Sequence, residues 1–150
     1  MRLCIKVLLL AVLPGIAMAG GKYSLVMVDS SHSVAETTSR LTDILNAKGM
    51  TIFATIDHQE NAEKVGMSLP ATTLILFGNP KLGSQLMSCQ QSIGIDLPMK
   101  FLVRDDNEHV TITYNSPTFL KRRHSVKGCD AAFEKMTGAL AAIAAKAAGA

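Results

Sequence analysis

Tryptophan is absent from the 150-residue chain, and only two tyrosines and five phenylalanines supply aromatic surface. That scarcity removes the stacking platform on which single-stranded nucleic acids are held. An excess of one charge is missing too: 15 Lys and Arg stand against 12 Asp and Glu, for a formal +3. Two of those cations, Arg2 and Lys6, precede the first apolar run, and without residues 1–19 the formal charge falls to +1. No broad positive surface is left for a nucleic-acid backbone. Long apolar runs are also scarce. The stretch from Val7 to Ala19 is short of the roughly 20 residues a bilayer span needs, and no later stretch qualifies.

A nucleotide-binding loop is a further absence, though one segment comes close. Leu76 to Ser84 reads LFGNPKLGS, with Gly78 and Gly83 five positions apart after an apolar run. A phosphate cradle of the Walker type needs Lys and then Ser or Thr directly after its second glycine. Ser84 and Gln85 follow instead, and Pro80 removes a backbone donor that would line the cradle. The segment reads better as a strand-to-helix switch, with Asn79 as the helix cap and Pro80 in the first turn.

What is present begins with an export signal. Arg2 and Lys6 give a positive start, Val7 to Val12 is apolar, and Pro14-Gly15 breaks the run. Ala17-Met18-Ala19 then supplies a small-x-small pattern, which predicts cleavage after Ala19 and a mature chain of residues 20–150 in the periplasm or outside the cell. No stable membrane anchor is expected after that cut. Of the three cysteines, Cys89 and Cys129 lie beyond it, and in an oxidising compartment an even pair suggests one disulfide. The mature length suits a single domain with one core.

Tyr23 to Asp29 and Thr51 to Ile56 read as β-strands, and Thr72 to Phe77 is the most apolar one. Ser33 with Glu36 forms a capping box ahead of a helix carrying Val34, Thr37, Leu41, Ile44 and Leu45, closed by Gly49. Asp57 and Glu60 repeat that logic for a short helix ending at Gly66. Lys100 to Arg104 and Val110 to Tyr114 flank a polar turn and predict a hairpin. Ser116-Pro117 opens another short helix that ends in Lys121-Arg122-Arg123-His124. Asp130 is expected to cap a last helix over about 130–147 with one apolar stripe. The hairpin requires antiparallel pairing, so the class is α+β, with a single, mainly antiparallel five-stranded sheet covered by helices in β-α-β4-α order.

Several segments together resemble the family known as domain of unknown function 302. They are SHSVAET from Ser31, KGMTIFATIDH from Lys48, LILFGNPKLGS from Leu74, IDLPMKFLV from Ile95, YNSP from Tyr114 and RRH from Arg122. The resemblance covers about 31–126 and implies a fold similar to the TATA-binding-protein class, with association as homodimers. A shared fold of that kind carries no implication of DNA binding. Ser125 stands where relatives often have Gly, Gln91 where many have Pro, and Cys89 looks particular to this chain.

Strand ends are where binding side chains concentrate, and Asp57, His58, Asn79, Asp96 and Tyr114 all sit at predicted strand ends. His58 opens a helix, where the macrodipole favours neutral imidazole, whereas His124 closes one, where the opposite bias holds. The six residues, His124 included, are candidate ligand-binding groups for a small molecule or a protein partner. His58 and His124 as an acid/base pair would give an enzyme, and a homo-oligomeric assembly protein is the third alternative. Plainer roles stand beside these: Asp57 and Asn79 as caps, Asp96 holding a turn, Tyr114 in the core. No metal-ligand triplet, cofactor loop or Ser-His-Asp order can be assigned. Met87 and Cys89 are soft ligands, but two residues apart on a helix they do not face together.

Overall fold

The computed structural model describes residues 24–149. The expected leader, its cleavage site after Ala19 and Tyr23 of the expected first strand lie outside those residues. The chain runs through β1 (Leu25–Ser30), α1 (Val34–Ala47), β2 (Thr51–Asp57), α2 (His58–Glu63) and β3 (Thr72–Gly78). It continues with α3 (Pro80–Cys89), a short 3-10 helix (Gln91–Ile95), β4 (Met99–Asp106) and β5 (His109–Asn115). α4 (Pro117–Arg123) and α5 (Asp130–Ala148) follow. The five strands form one sheet in the order β1-β5-β4-β3-β2, with every neighbouring pair antiparallel. The α+β expectation and the β-α-β4-α order therefore hold.

The helix starts follow from their caps. Ser33 Oγ accepts from the Glu36 amide at 3.2 Å, and Asp57 Oδ1 accepts from the Glu60 amide at 2.9 Å. Asn79 Oδ1 accepts from the amides of Lys81 and Leu82, with Pro80 in the first turn where no amide proton is needed. Each such cap contributes about 1 kcal/mol. Gly49, at φ 64°, ends α1 in the left-handed conformation that a side chain resists.

The last helix departs from the expectation. Asp130 is its first residue rather than its cap, and its carboxylate pairs with Lys121 on α4. The cap position belongs to Cys129, which takes a left-handed φ of 56° and makes no capping bond. Its side chain is committed elsewhere, in a disulfide with Cys89 at the end of α3. That covalent tie sets where α5 begins.

Side chains alternate across the strands, so one sheet face gathers Ile75, Phe77, Met99, Phe101, Val103, Ile112 and Tyr114. Phe77 stacks on Phe101 with centroids 4.6 Å apart, and Tyr114 meets Phe101 edge-on at 5.4 Å. Leu41 and Leu45 of α1, and Met136, Leu140 and Ile143 of α5, join the same core. At its far end α5 is held by the β1–α1 region: the Ser31 amide and hydroxyl donate to the Ala148 carbonyl, and Arg40 Nε donates to that of Ala147. The opposite sheet face is open along β1, where Met27 is 62% exposed.

Candidate functional site

Antiparallel pairing sorts the candidate residues into two groups. Asp57 pairs with Thr73, which pairs with Val103, whereas Ile52 pairs with Phe77, which pairs with Met99. Asp57 and His58 thus stand at one end of the sheet, and Asn79, Asp96 and the end of β5 stand at the other. The seven-residue β2 separates the two ends by roughly 20 Å at the usual strand rise. His124 belongs with the Asp96 end, as its ring bonds that residue directly. The structure therefore does not bring His58 and His124 together, and the expected acid/base pair is replaced by a different partnership for His124.

Two connections cross the Asp96 end. One is the β3–β4 link, made of α3, the 3-10 helix and the loop to Met99; the other is the β5–α5 link, made of α4 and its exit. They meet at His124, the residue that caps the C-terminal end of α4. Its Nε2 lies 2.6 Å from Asp96 Oδ2, and its Nδ1 lies 3.1 Å from Ser92 Oγ. The side chains of His124 and Asp96 are 8% and 12% exposed, whereas Ser92 is exposed. Arg123 Nε stands 3.5 Å from the same Asp96 oxygen, and Lys100 Nζ donates to the Asp96 carbonyl at 2.8 Å. Gln90 Nε2 donates to the His124 carbonyl at 3.2 Å, which terminates α4 with a side-chain donor.

The expectation that Asp96 holds a local turn captured little of this. Its carboxylate reaches a residue 28 positions away. Sequence reasoning does not point to Ser92, because a serine in a short helix gives no signal until its partner, 32 positions away, is known. Tyr114 is buried in the core against Phe101, so it belongs to packing, and burial pushes its phenol above the ordinary range. Burial likewise lowers the Lys100 ammonium, against the opposing pull of Asp96. Asp57 caps α2, and His58 is half-buried beside it at the remote end.

Asn79 has a second location besides its cap. It lies on the rim of a cleft of about 350 Å³ at the same sheet end. Phe53, Leu82, Met87, Leu97, Pro98 and Met136 give the cleft its mainly apolar wall, and Asn79 and Ser84 give it polar points. Phe53 is placed there by an irregularity between Ile52 and Ala54 in the β2–β3 pairing. Such a bulge re-aims a side chain and explains an aromatic that is 55% exposed. Among the described residues, no cluster of three or more His, Cys, Asp or Glu side chains is arranged to hold a metal ion.

Comparison with known proteins places these residues in a wider set. The family model described as "Domain of unknown function DUF302" matches residues 26–143. A crystal structure of an uncharacterized conserved protein DUF302 from Bacillus stearothermophilus superposes with a TM-score of 0.69 at 20% identity, over 85% of this chain and 98% of that one. At that identity the likeness concerns the fold. Two curated relatives are longer proteins. The fluoride-specific ion channel FluC 1 of Brucella suis biovar 1 (strain 1330) is 44% identical over 103 residues, which is 68% of this chain and 41% of the relative. The FluC 1 protein of Brucella abortus biovar 1 (strain 9-941) is also 44% identical over 103 residues, with 38% of its length covered. The chain thus spans about two-fifths of the curated relatives it matches.

Proposed function

Because the chain belongs to the DUF302 family, whose description names no reaction, we propose a function from the geometry: an exported domain that holds a small, largely apolar molecule. The observation that carries this is the cleft beside Asn79. Its volume of about 350 Å³ falls in the range of small-molecule sites, and an apolar wall with few polar points is their usual composition. The fluoride-channel activity named for the longer relatives forms no part of the proposal. Among the described residues no helix is long and apolar enough to cross a membrane.

Export is supported by the N-terminal pattern and by the Cys89–Cys129 disulfide, a bond that persists in oxidising compartments. Action as a homodimer is supported by the open sheet face, where Leu25 and Met27 of β1 are exposed and, across β5, Leu102, Leu74 and Leu76 of β4 and β3 are half-buried.

Nile red, an uncharged apolar dye, tests the cleft. The purified protein is expected to bind it saturably with one equivalent per chain. Phe53→Ser removes the exposed wall without touching the core, and should weaken binding about tenfold, the equivalent of burying part of one aromatic ring. Equal binding by the variant, or no saturable binding by the parent, would overturn the proposal.

A further inference from the structure

We propose that Ser92, His124 and Asp96 act as a nucleophile, base and orienting carboxylate in the hydrolysis of small uncharged esters. The inference stands apart from the cleft and does not need it. A hydroxyl within hydrogen-bond reach of an imidazole that a third group orients is the arrangement by which serine is activated for acyl transfer. Here the hydroxyl is 3.1 Å from Nδ1, and the carboxylate is 2.6 Å from Nε2. An ionised carboxylate only accepts, so Asp96 fixes the ring proton on Nε2 and leaves Nδ1 to accept from Ser92. The ring nitrogens are exchanged relative to the serine-protease order, but the proton path is the same.

Exposure divides as this chemistry requires. His124 and Asp96 are almost wholly buried, which holds the imidazole in one orientation, and Ser92 faces solvent where a substrate can reach it. Ser92 and Ile95 lie three apart on the 3-10 helix, a spacing that sets both side chains on one face. Ile95 is 77% exposed, so the nucleophile stands beside an unpartnered aliphatic surface suited to a short apolar acyl group. The charged groups packed around the relay are Arg123, at 3.5 Å from Asp96 Oδ2, and Lys100, whose Nζ donates to the Asp96 carbonyl. The Arg123 side chain is half exposed.

The step balances without a cofactor. Ser92 Oγ bonds the ester carbonyl carbon as its proton passes to His124 Nδ1, and the imidazolium is stabilised by the Asp96 carboxylate. The ester C–O bond breaks, and the leaving alcohol takes the proton from Nδ1. Water then attacks the acyl-serine through the same base, releases the carboxylic acid and returns the proton to Ser92.

An alkyl fluorophosphonate probe and p-nitrophenyl butyrate test the proposal on the purified protein. Peptide mass spectrometry is expected to place a single phosphonyl adduct on Ser92, and ester turnover should be measurable. Ser92→Ala, at an exposed position, should keep the parent melting temperature, abolish the adduct and cut turnover at least about 100-fold. Asp96→Asn should slow labelling about tenfold or more and displace its pH profile, since the ring is no longer held in one tautomer. No adduct on Ser92, turnover retained in Ser92→Ala, or an unchanged rate and pH profile in Asp96→Asn would each overturn it.

Discussion

At the scale of single residues, burial decides more than residue type. Asp57 and Asn79 look alike as strand-end polar groups, and both cap helices, yet only Asn79 also borders a cleft. Tyr114 was a candidate ligand group, and packing assigns it to the core. Its phenol is raised above the ordinary value by burial. A raised folded value means that the unfolded chain loses its proton first as pH climbs. The contribution is therefore fully present below about pH 10, the usual phenol value, and is lost as pH rises through the folded value. Lys100, lowered by burial, acts in the opposite sense, because it sheds its proton more readily in the fold. Tyr114→Phe isolates the first effect: in urea titrations between pH 8 and about pH 11, the variant should lose less stability than the parent. Parallel alkaline curves for the two proteins would refute it.

At the scale of elements, the chain uses local caps for its starts and one covalent bond for its longest helix. Cys89 and Cys129 are 40 residues apart, and their bond joins the end of α3 to the start of α5. Closing a loop of that size removes about 4 kcal/mol of unfolded-chain freedom in the entropy model. Reduction with dithiothreitol, or Cys129→Ala, is therefore expected to lower the unfolding free energy from urea titrations by an amount approaching that value, moving the midpoint to lower urea with little change in far-ultraviolet circular dichroism. An unaltered midpoint on reduction would show that the bond adds no stability. The helix starts were readable because a cap and its partner lie within three residues. The α5 start was not, since Gly128 and Cys129 turn left-handed to serve a bond to a distant cysteine.

At the scale of the whole molecule, among the described residues one sheet face is filled and the other is open along β1. The filled face needs no partner, because α1 and α5 bury its aromatic and aliphatic residues. The proposed homodimer would cover the free face. Light scattering across a dilution series should then show a dimer that dissociates at low concentration, and Met27→Asp should leave a monomer with the parent's stability. A parent protein that is monomeric at every concentration would remove that proposal. The same scale explains the fate of the two histidines. His58 and His124 share motif status, but β2 runs the length of the sheet between their ends.

The amino-acid order by itself determined the five strands, most of the helices, their class and the even pair of cysteines, because strand alternation, helix caps and turn residues act over a few neighbours. The 3-10 helix and the start of α5 were not legible in it. Chain topology alone could bring the α4 exit onto the 3-10 helix and join Ser92, His124 and Asp96, residues up to 32 positions apart. It also set Phe53 over the cleft through a bulge in the pairing of two strands. Short-range chemistry writes the parts, whereas contacts between distant segments depend on how the sheet is ordered, and no local pattern encodes that order.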